Sequence, residues 1–351
     1  MSASETPPEV SPGGWEGWPL QRDRSATRKG PLLLASEPQG TSPRSHQDDD
    51  GGSGPRAGAV AVVVLASAGR PELVGQAVRD LAAQHEARFV LAVCVPDAES
   101  LPAGGLPEGV VLAHARGLPA QRNAGLAAAL AVAPQARTAF FFDDDSVVGA
   151  GYVEAALAFL DAHPAVVGVT GRVLLDGAQG EEVSRERAEA ALAAREAAGP
   201  TGAWNPISGL YGCNFAIRLD GHAERFDERL PLYAWMEDRD LSERLKRHGA
   251  LAQVDDCAVV HRGVRSGGRT AHLRLGYSQV MNPVYLHHAG SFAVSMVLLQ
   301  VVPRLAKNAA LSLVSGPQGA WRRRRLRGNA LALADAARRR YTPERVLDLP
   351  P

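Results

Sequence analysis

Three consecutive aspartates, Asp143, Asp144 and Asp145, follow directly on the apolar, aromatic stretch 138–142. Carboxylates crowded at the end of a buried strand cost free energy through desolvation and mutual repulsion unless a cation offsets them. A hard divalent ion, Mn or Mg, suits such oxygen ligands and completes its shell with water and phosphate oxygens, so the cluster predicts a phosphate-bearing substrate. Two other readings stay open here. The aspartates could form a solvated loop or cap the helix expected to start near Gly151. The same residues also fit a phosphatase-like Asp-x-Asp-x-Val pattern, with Asp143 as nucleophile, Asp145 as general acid and Asp255 and Asp256 as its acidic pair; the later lysines available to it are Lys246 and Lys307.

A second group of carboxylates opens a helix in the segment FDERLPLYAWMEDRDLSERLKRHG. Glu237 and Asp238 fall in its first turn, where the helix dipole favours negative charge. The apolar approach LPLYAW puts that turn beside a buried or ligand-facing surface, which makes Asp238 a candidate base toward an acceptor hydroxyl. His261 ends an apolar strand and is a candidate metal ligand beside the acidic cluster. Arg262, Arg265 and Arg269 could offset diphosphate charge. Trp235 and Tyr211 are candidates for stacking on a ring.

These groups need a scaffold that brings distant segments together. Residues 59–66 form a continuous apolar, β-branched run, as in a strand buried on both faces, and a helix over 71–84 follows with Leu73, Val74, Ala77, Val78 and Leu81 at helical spacing. Strands at 89–95, 110–113 and 138–142, with a helix over 119–132, repeat the alternation. Later come helices at 152–160, 181–198 and 237–248 and strands at 166–170, 213–217 and 258–261. Strand and helix in alternation predict a parallel, doubly wound sheet with ligands at the carboxyl ends of its strands.

Over residues 59–275 the chain resembles a family-2 glycosyltransferase. The resemblance rests on VVVLASAGRPELV, on GLPAQRNAGL with Arg122, Asn123 and Gly125, on FFFDDDSVV, on SGLYGCNFAIRLD with Gly212 and Asn214, and on the Glu-Asp helix, in that order. It implies a GT-A fold, the Rossmann-like nucleotide-diphospho-sugar transferase arrangement. It further implies that Asp145 with Asp143 holds the metal on the donor's diphosphate, and His261, from its place at a strand end, is the candidate third ligand. Arg70, Arg122, Asn123, Asp143 and Asp144 then lie on the nucleotide-sugar side, and Gly212, Asn214 and Trp235 on the acceptor side. Asp238, with Glu237 beside it, deprotonates a glycan or lipid-linked acceptor, and the anomeric carbon inverts. No Gln-x-x-Arg-Trp motif follows the acidic helix, so one sugar per encounter is expected. A sugar-phosphate nucleotidyltransferase would need a more glycine-rich first loop than LASAGRPELV. A degenerate domain serving as an interaction module would have lost the acids that are present.

The 351 residues carry 38 basic and 38 acidic side chains, which gives no global attraction to nucleic acid. The odd, scattered Cys94, Cys213 and Cys257 fit a reducing cytoplasm, and the N-terminus lacks a basic-then-apolar export signal. Residues 1–57, rich in Pro, Gly, Ser and charge, read as a disordered leader before a domain over 58–275. The remainder, 276–351, reads as a helical, basic extension. Its apolar run 292–302 is short of the ~20 residues that span a bilayer, and Pro303, Arg304 and Lys307 interrupt it. It predicts either a helix pair covering the core or a peripheral contact with the anionic inner face of a membrane.

Overall fold

The computed structural model describes residues 59–86, 88–178, 180–264 and 271–350. The leader expected at 1–57, and Arg265 and Arg269, lie outside the described residues.

Four strands, β1 (Ala61–Ala66), β2 (Phe89–Val95), β3 (Val111–His114) and β4 (Thr138–Asp143), form the parallel half of a nine-stranded sheet. Every residue of β1 and β2 is buried because helices cover both faces. Ala61, Val63 and Leu65 meet Val74, Val78 and Leu81 of α1 (Pro71–Ala82) and Tyr152, Ala156 and Leu160 of α3 (Tyr152–Ala162). Val62 and Val64 point the other way, into Leu126 and Ala129 of α2 (Leu118–Val132) and Leu241 and Leu245 of α5 (Glu237–Leu245). This two-sided burial is what an unbroken apolar strand requires, at roughly 1.5–3 kcal/mol for each large aliphatic side chain removed from water. Gly125 lets α2 cross closely over β1, since a Cβ there would lie 2.7 Å from Val64 Cγ1.

The second half of the sheet departs from the parallel arrangement expected of strand-helix alternation. β8 (Asn214–Arg218) runs antiparallel to both β4 and β6 (Val166–Asp176), while β6 is parallel to β9 (Ala250–His261). The path from β6 passes through α4 (Arg185–Ala197) and the short β7 (Trp204–Pro206) before it reaches β8, so no single helical crossover sets a parallel return. β5 (Ser146–Val148) and β7 pair antiparallel with β9. Both are three-residue strands, too short to show a period in the sequence. β9 begins at Ala250, well before the stretch expected at 258–261, because Leu251, Ala252 and Val254 are also buried.

Three helices complete the chain: α6 (His272–His288), α7 (Val294–Ser312) and α8 (Pro317–Ala337). They belong to the same compact unit as the sheet. α6 is fastened to the segment that leads into α5. Asn282 Nδ2 donates to Trp235 O at 2.8 Å and the Tyr285 hydroxyl donates to Asp227 at 2.7 Å. Leu230, Ala234 and Met236 pack with Tyr285, Leu286 and Phe292. Among the described residues no helix is long and apolar enough to cross a membrane.

Candidate functional site

β4 ends at the aspartates, and the reversed β8 begins beside them. Phe142 lies opposite Asn214, and Asp143 N donates to Cys213 O at 3.1 Å. On the far side, β5 pairs Ser146 with His261, and Arg262 N donates to Asp145 O at 2.9 Å. These ladders bring residues from opposite ends of the sequence to one strand end.

The three aspartates there have different partners, so a single cation is not what offsets all of them. Asp144 is buried, ion-paired to Arg70, and accepts from the Ser67 hydroxyl. Burial pushes its carboxyl up to about 7, against the pull of Arg70 and Ser67. Asp145 is also buried, but His261, Arg70 and the N–H of Val264 outweigh the burial and hold its carboxyl below the usual range. Val264 N donates to it at 2.9 Å, and His261 Nε2 lies 3.5 Å away. Asp143 stays 29% exposed and pairs with Arg122 at 2.9 Å.

His261 is held from behind. Its Nδ1 donates to Asp176 Oδ1 at 2.9 Å, and Asp176 in turn accepts from the Tyr211 hydroxyl at 2.7 Å and from Ala178 N at 2.9 Å. With Nδ1 committed, Nε2 faces Asp145, the ring orientation a metal-ligating histidine needs. Burial opposes charge on the ring, but the carboxylates of Asp145 and Asp176 push it up to about 10. A divalent ion bound at Nε2 would replace the proton there and supply the positive charge that these carboxylates favour. Asp143, Asp145 and His261 can each offer one ligand atom, and these atoms lie within 4.8 Å of one another. Two carboxylates and an imidazole suit a divalent cation.

The acidic helix joins this cluster through Arg122. Its side chain is 1% exposed, and it donates to Glu237 Oε1 at 3.0 Å, to Asp143 Oδ1 at 2.9 Å and to Gly212 O at 2.7 Å. The guanidinium also faces the Phe226 ring at 5.2 Å. Gly212 continues the connection, since its N–H donates to Asp238 Oδ2 at 3.1 Å, while Asp238 Oδ1 accepts from Arg239 N at 2.7 Å. Asp143 and Asp238 are therefore linked through one arginine and one glycine. Burial and the neighbouring Asp238 push the Glu237 carboxyl up to about 8, with Arg122 opposing. Burial also raises that of Asp238, again against Arg122.

The loop before α5 carries strain. Leu232, Ala234 and Met236 all adopt positive φ, 60°, 51° and 79°. Side-chain-bearing residues there cost roughly 1–2 kcal/mol each, and such outliers persist where the surroundings over-determine them. Leu118 N donates to Leu232 O at 3.0 Å, and α6 holds Trp235 O, so the loop is clamped from two sides.

Several expectations need correction. Asn214 is fully buried, with its carbonyl accepting from Gly171 N at 2.8 Å and the Tyr152 hydroxyl at 2.9 Å. It pins β8 to β6 and α3 and cannot touch an acceptor. Asn123 clamps the turn after β8, donating to Phe226 O and Glu228 and accepting from Phe226 N. Trp235 packs, partly buried, against the cluster of Leu230, Met236, Tyr285 and Phe292, with Arg304 of α7 over its ring at 4.9 Å. Both polar atoms of the Gly212 backbone are engaged, by Arg122 and Asp238, so it positions those groups. Arg70 has its guanidinium on Asp144. The acids and lysine of the phosphatase pattern have other partners: Asp255 and Asp256 pair with Arg172 and Arg195, each at 2.6 Å, and Lys246 pairs with Glu243 at 2.6 Å. Asp176, which holds His261 from behind, is a positioning residue that no sequence motif marks. Its signal was its place at the end of β6, the strand beside β9.

No family model matches the chain, and no curated protein matches it. Among solved structures the chain is similar to residues 1–349 of TarS from S. aureus, at 14% identity over 82% of each chain with a TM-score of 0.49. It is also similar to the mannosyltransferase PcManGT from Pyrobaculum calidifontis, solved in complex with GDP-Man and Mn2+, at 16% identity over 84% of this chain and 86% of that one, with a TM-score of 0.40.

Proposed function

We propose that the chain is a metal-dependent glycosyltransferase of the GT-A class, of family 2, that moves a sugar from a nucleotide-sugar donor to a hydroxyl of a glycan or lipid-linked acceptor with inversion. Its transferase region is 58–275, and 276–351 is the helical extension that braces it. The observation that carries the reading is the bridge through Arg122 and Gly212, which puts a cation-ready cluster and a poised carboxylate at one locus. Three free, buried cysteines support a cytoplasmic setting.

Asp143, Asp145 and His261 would hold Mn or Mg, and the bound ion supplies electrostatic stabilisation to the nucleoside diphosphate as it departs. Asp238 takes the proton of the acceptor hydroxyl. That oxygen forms its bond to the anomeric carbon on the face opposite the breaking carbon–oxygen bond to the diphosphate. Burial raises the basicity of Asp238, while the N–H groups of Gly212 and Arg239 fix its orientation. Arg122 keeps Glu237 and Asp143 from repelling each other across the site. An inert interaction module would have no use for a raised, oriented carboxylate linked to a cluster of two carboxylates and an imidazole, and the retained acids favour the enzyme.

A thermal-shift screen of nucleoside diphosphates with and without Mn tests the reading. One nucleotide is expected to raise the melting temperature by about 5 °C at a hundredfold excess over its dissociation constant, only when Mn is present. Stabilisation independent of metal, or none with any nucleotide, would remove the glycosyltransferase.

A further inference from the structure

α7 turns an apolar stripe to solvent. Val294, Leu298, Leu299 and Val302 are 55%, 56%, 48% and 54% exposed and share one side of the helix, while Gln300, Val301, Asn308 and Ser312 are buried on the remaining surface. The stripe continues into the turn before α8, where Leu313 is 86% exposed and Val314 45%. Contiguous exposed apolar side chains of this size mark a surface built for contact.

The segment that carries the stripe has charge of a single sign. From residue 257 to residue 334 the sequence contains no Asp or Glu, while Lys307 of α7 and Arg323, Arg324 and Arg327 of α8 are exposed. Arg323 donates to Ser312 O at 2.9 Å, which sets the basic part of α8 beside the turn that carries Leu313. Aliphatic side chains flanked along α7 and the first part of α8 by lysine and arginines complement an anionic lipid surface: the stripe enters the headgroup and acyl boundary while these cations reach lipid phosphates. A second copy of the chain would bring two cationic faces together, and their repulsion disfavours that occupant.

We infer that the α7–α8 hairpin docks the protein on the surface of a bilayer containing anionic phospholipid, with α7 lying in the headgroup plane and not crossing. The docking face is continuous with the catalytic region, because α6 and α7 pack against the segment that runs from Leu230 to Met236 into α5. This inference stands on the exposed face alone and does not need the glycosyltransferase reading.

Co-sedimentation of the full chain with vesicles, without nucleotide, tests it. Binding to phosphatidylcholine vesicles that contain phosphatidylglycerol is expected to be about tenfold or more tighter than binding to pure phosphatidylcholine. The double variant Leu298→Glu, Leu313→Glu should lose about tenfold or more of that partitioning. Arg324→Ser with Arg327→Ser should reduce the preference for phosphatidylglycerol in particular. Both pairs are exposed, so unchanged melting temperatures confirm that the fold is intact. Equal, weak binding to both kinds of vesicle would overturn the inference. So would partitioning unaffected by Leu298→Glu, Leu313→Glu, or a dimer in sedimentation velocity that this variant abolishes while vesicles bind neither form.

Discussion

Asp238→Asn is expected to lower kcat about a thousandfold, within the roughly 10²–10⁴ range that a positioned general base contributes, while Mn-dependent stabilisation by the nucleoside diphosphate persists. The two effects separate because Asp238 and the metal-capable residues sit on different elements, α5 and the ends of β4 and β9, joined only through Arg122 and Gly212. An amide in place of the carboxylate keeps the shape but cannot accept the hydroxyl proton. It also turns one N–H toward a backbone donor, at a cost of about 1 kcal/mol, too small to unfold the chain. Turnover within tenfold of the parent protein would take Asp238 out of the reaction.

Arg122→Met should be the most destabilising single change at the site, by about 3–5 kcal/mol, the penalty for removing one partner of a buried ion pair. The loss leaves Glu237, already pushed up to about 8, without the group that opposes its burial, and strips Gly212 O and Asp143 of a donor. Urea denaturation reads the change directly. Adding Glu237→Gln to Arg122→Met should recover part of the stability, since the two residues share one interaction and their effects are not additive. A loss below 1 kcal/mol, or full additivity in the double variant, would show that Arg122 is not what holds the acidic helix to the aspartates.

Some of this architecture was readable from the residues alone. β2 was expected at its observed bounds because every one of its residues is apolar and buried, a pattern that few other elements produce. The acidic cluster, His261 and the Glu-Asp turn were singled out from their places at the ends of apolar segments. The direction of β8 was not legible, since an apolar strand reads the same either way and its partners lie far off in sequence. Asn214 was misread for a related reason: only the fold reveals that Gly171 N and the Tyr152 hydroxyl, from two other elements, consume its carbonyl. Asp176 escaped notice because β6 continues past its buried first half into partly exposed residues, with register shifts against β9 that blur the alternation. The three aspartates were recognised as a costly group, yet their separate partners, Arg122, Arg70 with Ser67, and His261, follow from chain crossings that composition does not encode.

The central claim is that Asp143, Asp145 and His261 seat a divalent ion against the diphosphate of the donor. Electron paramagnetic resonance of Mn2+ titrated with the protein and the stabilising nucleoside diphosphate, followed by phosphorus relaxation of the bound nucleotide, measures that directly. The protein should bind Mn2+ and strongly enhance relaxation of the β-phosphate, and Asp145→Asn should abolish both. Bound Mn2+ that survives Asp145→Asn, or a nucleotide whose phosphorus signals ignore the metal, would contradict it.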